Sequence, residues 1–457
     1  MSSIIFIAVF TALLGGALWK LYLQDAVKNT VKQPENKIFI IAALAAGLIA
    51  HIICAVAYKG HSTDMGCFSG WSDRIYKDGF AAFYASDGFH DYPPGYVYIM
   101  WVLGAFKHIF KLQDGASLWL LLKTPAIIAD LVMGWLVYKI ALKKFNCDVA
   151  SVFAAIVVLN PALIVDSASW GQIDSILALF CVLAVYFTAE RKFIPAYFAF
   201  AAGVLIKPQA AFFAPVIIFG LIDELFIKEK FSFDRLLKQV GWAAAAVAAM
   251  FILFMPFGDT PINGIRLILD QYIKTLGEYP YMTINAFNIY AAAGNNWEKL
   301  NGMASWFGYG MMIMVVLYAA YVFFKSKNPS RHYIAAFIIS FGIYIFGVKM
   351  HERYAFPGIF MLVFALITMP TLKNFMMYGL FSVISFFQFA WVLFIYNQDI
   401  NKYYRTVTVI NTSLITIAIF VMSVCFIQKE YVGYREEHEP LSKTIVSKTT
   451  VSKGRTS

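Results

Sequence analysis

Apolar residues arrive in long runs separated by short polar knots. Runs of roughly 17–25 such residues cross a bilayer as helices, each satisfying its own backbone hydrogen bonds in lipid. The pattern predicts spans at Ile4–Leu23, Ile38–Tyr58, Leu118–Leu142, Val149–Leu163, Ser175–Ala189, Gly241–Phe257, Trp306–Phe324, Tyr333–Val348, Ala355–Met369, Phe375–Tyr396 and Val407–Ile427. The first run has no basic residue before it and no clear cleavage site, so it reads as a retained anchor. Ile194–Leu221 is equally apolar but is interrupted by Lys207-Pro208-Gln209. Proline removes a backbone donor and restricts its predecessor, which predicts two half-helices, up and back, with Lys207 at the tip. Broken helices of this kind line cavities.

Charge in the loops orients the spans. Lys28, Lys32 and Lys37 follow the first run and are cytoplasmic by the positive-inside rule. Lys139/Lys143/Lys144, Arg191/Lys192, Lys228/Lys230/Arg235/Lys238, Lys325/Lys327/Arg331 and the tail after Gln428 should share that side. All of them do so if Tyr92–Phe110 lies along the outer leaflet or dips into it. Pro93, Pro94 and Gly95 at its start suit such a segment, as do Lys107, His108 and Lys111 at its end. Two long external segments result, His61–Asp91 and Gly258–Ser305. In the first, Cys67, Phe68, Trp71 and Ile75 recur at helical spacing opposite Ser72, Asp73, Arg74, Lys77 and Asp78, predicting an amphipathic interfacial helix. Ser442–Ser457 has no apolar periodicity and is expected to be disordered. The chain thus divides into an anchor and cytoplasmic loop (1–37), a membrane module (38–257) with external loop 59–117, an external loop (258–305), a second membrane module (306–427) and a tail (428–457).

Composition fixes the class. A chain of 457 residues that is 60% hydrophobic and only 14% charged cannot hide its apolar side chains in water. It is expected to be an all-α polytopic membrane protein with about 11–13 transmembrane helices and interfacial helices in the first external loop. Its five cysteines are scattered, without a CxxC pair, and suggest neither a disulfide framework nor a zinc site. The net charge of +10 lies in short loops, so it reports orientation and not nucleic-acid binding.

Three knots carry candidate chemistry: Gly60–Phe68 with Asp64, Ser169-Trp170-Gly171-Gln172-Ile173-Asp174, and Lys349-Met350-His351-Glu352-Arg353. The topology brings all three to one membrane face, where ionisable groups imply a polar substrate. Gln172 and Asp174 would either contact that substrate or cap the helix that follows. Asp130 is costly inside its span and is expected to face Lys123 or another helix. His61, His90 and Asp91 are the only metal candidates, but their spacing is not diagnostic, and neither a metal nor a cofactor is expected.

An aspartate after an early outward helix, an interfacial helix and then Asp91-Tyr92-Pro93-Pro94 resembles the opening of the GT-C superfamily of integral membrane glycosyltransferases. Asn160-Pro161-Ala162-Leu163-Ile164 leading into Trp170-Gly171-Gln172-Ile173-Asp174 is similar to a stretch of the dolichyl-phosphate-glucose glucosyltransferases, with Trp-Gly-Gln in place of their His-Phe-Gln. Leu205–Gln209 and Lys349–Tyr354 extend the resemblance, which covers Ile38–Pro357 and includes prokaryotic mannosyltransferases related to the PIG-V enzyme. It implies transfer of a hexose, mannose or glucose, from a polyprenyl-phosphate sugar to a glycan, glycolipid or protein acceptor at the external face of the cell membrane. Asp64 maps to the family's catalytic base, and one inverting displacement needs no general acid because lipid phosphate is already a good leaving group. Cations are needed instead for the phosphate, with Lys207, His351, Arg353 and Lys349 as candidates and Lys123 behind them. Asp91, Tyr92, Trp170, Gln172, Asp174, Asn285 and Glu352 are the substrate-binding candidates. Asn285 and Asn288 would meet acceptor hydroxyls, and Trp71, Tyr92 or Trp170 would stack on sugar. A lipid or glycan transporter or flippase is the rival class, although it would place charge near the midplane between similar halves. A scaffold subunit with a degenerate site is a third reading.

Overall fold

The computed structural model describes residues 2–28, 37–85, 89–277, 279–395 and 407–433. Lys32, Asp87, Tyr396 and the tail Ser442–Ser457 lie outside the described residues. The protein is an all-α polytopic membrane protein. Among the described residues, nine helices are long and apolar enough to cross a bilayer: α1 (Ser3–Ala26), α2 (Ile38–Ala57), α5 (Ala116–Ala141), α6 (Cys147–Trp170), α9 (Pro208–Lys228), α10 (Phe233–Phe257), α12 (Gly302–Lys325), α15 (Leu372–Phe394) and α16 (Val407–Val432). Four apolar helices are shorter: α7 (Asp174–Ala189), α8 (Phe193–Ile206), α13 (Arg331–Phe346) and α14 (Phe356–Thr368). Outside these, α3 (Ser62–Asp78), α4 (Pro94–Ile109) and α11 (Pro261–Gly277) flank the bundle.

The short helices α7, α13 and α14 lie in the core, while α8 exposes Ile194 and Phe198 on one side. Apart from Arg331 and Phe346, every residue of α13 is buried, and so is every residue of α14 except Thr368. A helix apolar all round must be enclosed, whereas α1 and α10 expose Phe6, Leu13, Leu237 and Ile252 as lipid-facing helices do. Inside α6, Asn160 accepts from Ala162 N and donates to Tyr378 and Ser382, so the Asn-Pro pair bends the span while its polar groups stay satisfied. The span then continues as a π-helical stretch, Ile164–Trp170, well past the expected end at Leu163. Asp130 pairs with His51 of α2 at 3.2 Å, so its partner is another helix and not Lys123.

The break at Lys207 is present. Lys207 is extended (φ −151°, ψ 140°), and Gly220 of α9 comes back beside Thr188 and Phe193, so α8 and α9 form a hairpin with Lys207 at its tip. The returning arm is not a half-helix, because Pro208–Lys228 holds 21 residues. Basic loops gather at the far end through Lys143–Glu190 (3.0 Å), Arg191–Glu224 (3.5 Å) and Lys228–Asp223 (3.3 Å), with Arg331 also on Asp223. Helices α6 to α9 and α13 run between that end and the one that carries the three knots.

Two expectations about the flanking helices change. The apolar face of α3 does form, burying Met65, Phe68, Trp71 and Ile75, but α4 covers it instead of lipid. Pro94 starts α4, whose 16 residues reach only about 24 Å, and its end is fastened to α3 by Lys107–Asp73 (2.6 Å) and His108–Asp73 (3.1 Å). Segment 258–305, expected as an external loop, contains the helix α11. Its start was visible in Thr260-Pro261, where the threonine hydroxyl accepts from Asn263 N.

At the α3–α4 crossing, a Cβ on Gly104 would lie 2.2 Å from the Ser72 carbonyl oxygen, while one on Gly70 would meet open space. Gly104→Ala should therefore destabilise the protein by roughly 1–3 kcal/mol. Gly70→Ala should stabilise it by roughly 0.5–1 kcal/mol. Thermal unfolding of the two variants in nanodiscs checks the contrast, and equal transition temperatures would contradict it.

Candidate functional site

Backbone geometry brings the first two knots together. Gly60 has φ +104°, and a Cβ there would sit 2.2 Å from the Trp170 carbonyl oxygen. His61 N donates to that oxygen at 3.2 Å, and the His61 ring stacks on Trp170 at 5.5 Å. Helix α3 begins one residue later, so Asp64 lies in its first turn. The π-helical stretch of α6 ends at Gly171 (φ +92°), which leaves Trp170 Nε1 to donate to Asp64 Oδ2 at 2.7 Å.

The third knot is held by a two-residue parallel pairing of β1 (Thr283–Ile284) with β2 (Met350–His351). Arg353 follows, its guanidinium 4.4 Å from the centre of the Trp170 ring. Its Nε donates to Asp174 Oδ2 at 3.2 Å and its Nη1 to Glu352 Oε1. From the hairpin tip, Lys207 Nζ donates to Asp174 Oδ1 at 2.7 Å and to Gln172 Oε1 at 3.3 Å. It also lies 5.3 Å from the Tyr92 ring centre, and Tyr92 Oη donates to Gln172 Oε1 at 3.1 Å. One carboxylate thus receives both cations, and among the described residues Arg353 Nη2 is committed to no protein acceptor.

A cavity of about 440 Å³ opens between these elements. Of the sequence candidates, Asp64, Asp91, Tyr92, Trp170, Lys207, Asn285, His351, Glu352 and Arg353 line it. Gln172 and Asp174 stand behind the wall and do not cap α7, whose N-cap is Ile173. Lys349 is not part of the wall. The Asn285 side chain accepts from Trp297 Nε1 (2.9 Å) and Asn296 Nδ2 (3.2 Å), and Asn288 caps a short helix at Tyr290 N and Ala291 N, so both brace the loop. Trp71 lines the cavity but donates its indole N–H to Phe89 O. Of the metal candidates, His61 Nδ1 is 3.4 Å from Asp64, His90 meets Arg74 at 2.9 Å, and Asp91 accepts from Tyr279 at 3.2 Å.

The sequence reading missed Thr275, Tyr279, Gln209 and Tyr354 as wall residues. The last two were adjacent to singled-out residues. Nothing in the sequence marked Thr275 and Tyr279 beyond their place in a long external segment.

Burial pushes the Asp64 carboxyl up, but Arg353, His61 and the Trp170 hydrogen bond outweigh it and hold the group below the usual carboxylate range. Burial, with Arg353 and Lys207 nearby, drives His351 down to about 3. That burial favours the neutral imidazole over the cation. Burial raises Glu352 above the usual glutamate value despite Arg353.

Fold and site together define a polytopic helical membrane protein with a paired-charge cavity at one end. Residues 91–258 match the family model described as dolichyl-phosphate-mannose-protein mannosyltransferase. That match takes in Tyr92, the Trp170–Asp174 knot and Lys207, and leaves out Asp64 and His351–Arg353. A curated relative from Debaryomyces hansenii, a dolichyl pyrophosphate Glc1Man9GlcNAc2 alpha-1,3-glucosyltransferase, is 25% identical over 238 residues, covering 46% of this chain. The chain spans 42% of that relative's length. Both similarities support a GT-C glycosyltransferase.

The depressed Asp64 carboxyl can be observed directly. In infrared difference spectra of wild type against Asp64→Asn, its carboxylate band should persist below pH ~4. Trp170→Phe removes a hydrogen bond to the ionised form and should move the titration upward by about one unit. An Asp64 band that titrates at the same pH in both proteins would contradict this account of the site.

Proposed function

We propose that this chain is a membrane glycosyltransferase that moves a hexose from a polyprenyl-phosphate sugar to an acceptor hydroxyl at the external membrane face. The observation that carries the reading is the pairing of an ionised Asp64 with two clustered cations, Lys207 and Arg353, across one cavity. The side follows from charge: the basic loops lie at the opposite end, which the positive-inside rule makes cytoplasmic.

The acceptor oxygen attacks the anomeric carbon while Asp64 takes its proton. The bond from that carbon to the phosphate oxygen breaks, and its electron pair leaves with the lipid phosphate. Lys207 and Arg353 stabilise the charge growing there. A single in-line displacement inverts the anomeric configuration. In this scheme His351 is a neutral hydrogen-bonding group, Glu352 faces the sugar, and Lys349 has no direct part. Asp174 and Gln172 orient the cations without touching substrate. Tyr92 and Trp170 offer aromatic faces to the sugar, although Trp170 already carries Arg353 on its ring.

Asp64→Asn keeps shape and hydrogen bonding but not basicity, so transfer should fall by ~10²–10⁴-fold while donor binding persists. Turnover of a polyprenyl-phosphate hexose by purified protein in nanodiscs is the test, and near-normal rates would sink the assignment.

Arg353→Ala should weaken donor-lipid binding by roughly 1.5–3 kcal/mol and slow transfer, with acceptor affinity nearly unchanged. Lysine at 353 keeps charge but loses the planar fork, so it should rescue only in part. A donor titration on the three proteins measures this. Unchanged donor affinity in Arg353→Ala would leave Lys207 as the phosphate ligand.

A further inference from the structure

Lys123 is fully buried in α5, beneath the cavity, and the scheme above leaves it without a task. Among the described residues it forms no ion pair. Its ammonium donates to three carbonyl oxygens, those of Tyr58 (2.5 Å), Ala55 (3.2 Å) and Ser169 (3.4 Å). An ammonium has three donors, so the set is complete. Ala55 and Tyr58 belong to the end of α2, where backbone carbonyls lack helical partners. Ser169 immediately precedes Trp170. The lysine stem passes under Gly171, where a Cβ would meet Lys123 Cε at 3.3 Å and Met65 Sδ at 2.5 Å.

These contacts sit at one junction. Two residues after Tyr58 the chain reaches Gly60-His61, latched to the Trp170 carbonyl, and then Asp64. On the other strand, Ser169 leads directly to the indole that holds Asp64. A buried amine in a membrane bundle is costly, and an apolar side chain would fill the same space without that cost. Retaining its donors makes sense where they fix the two segments relative to each other. We propose that Lys123 is a positioning residue for Asp64, acting through the carbonyls of Tyr58 and Ser169 to set the Trp170–Asp64 hydrogen bond. The inference rests on Asp64 being the base.

The groups facing Asp64 are His61 and Cys67 on its own segment, with Trp170, Gln172, Arg353, His351, Glu352 and Tyr92 across from them. None of them is altered in Lys123→Met, which keeps the length of the stem and removes the donors. In purified full-length protein in nanodiscs, this variant should lower kcat about tenfold or more, with KM for the donor lipid within about twofold. The acid limb of its pH–rate profile should move up by about one unit, because Asp64 loses its indole partner. A general loss of folded protein would lower the rate without moving that limb.

Native Cys67 gives a readout that needs no activity. It lines the cavity one turn from Asp64, and burial with the Asp64 and Asp91 carboxylates nearby pushes its thiol up to about 11. Loosening the junction should expose it, so maleimide labelling of Cys67, resolved by peptide mass analysis, should become severalfold faster in Lys123→Met. Lys123→Arg keeps charge and donors and should stay closer to wild type in both readouts. If Lys123→Met fails to accumulate, Lys123→Gln, with two donors on a shorter stem, should show the same changes to a smaller degree. Wild-type labelling and an unmoved acid limb in Met or Gln would overturn the proposal, as would Arg behaving like Met. If wild type transfers sugar from no donor, the functional reading fails, while Cys67 labelling still decides whether Lys123 holds the junction.

Discussion

A single buried carboxylate ties this molecule's cavity together. Asp174 receives Lys207 on one oxygen and Arg353 on the other, and its side chain is only 4% exposed. Three segments distant in sequence end at that one group: the start of α7, the tip of the α8–α9 hairpin and the loop after β2. Ions taken out of water must be paired and hydrogen-bonded, or several kcal/mol are lost for each. Removing Asp174 would leave Lys207 without its carboxylate and Arg353 with Glu352 alone, so its loss should be felt as misplacement of both and not as one missing contact.

Depth is the second constraint. The inner helices α7, α8, α13 and α14 hold 13 to 16 residues, shorter than the nine that surround them. At 1.5 Å per residue they reach about 20–24 Å against a hydrocarbon core of about 30 Å. The cavity floor is therefore recessed within the bundle. Loops from segments 59–117 and 258–305 roof it, with Tyr279 holding Asp91 and Gln271 of α11 holding the carbonyl of His90. A charged headgroup can enter such a recess while an attached lipid chain stays in the bilayer.

Much of this was legible from local sequence. Period and length gave the spans, proline at 208 gave the hairpin, and loop charge separated the two ends. What escaped were partnerships, which depend on which helix faces which. Asp130 has an obvious neighbour in Lys123 on the same helix, yet each found partners elsewhere, His51 for the one and backbone carbonyls for the other. His351 carries no sign of its surroundings in the sequence, and only burial beside Arg353 and Lys207 lowers its basicity. Lys349 and Arg353 share a knot, but a left-handed backbone at Lys349 (φ +60°) and the β1–β2 pairing bring Arg353, and not Lys349, into the wall. Span ends were misjudged where the helix changed type, as in the π-helical end of α6, because hydropathy does not register hydrogen-bond pattern.

The short inner helices have a further effect on the electric field in the recess. Helices α7 and α14 begin behind the cavity wall, at Asp174 and Phe356, and α9 begins at the wall as a 3-10 turn at Pro208. Peptide dipoles aligned along a helix place the equivalent of about half a positive charge at its N-terminus. Two of those ends, at Asp174 and Phe356, are buried, where screening is weak. The backbone itself biases the floor toward anions, so a phosphate placed there would be held by the fold as well as by two side chains.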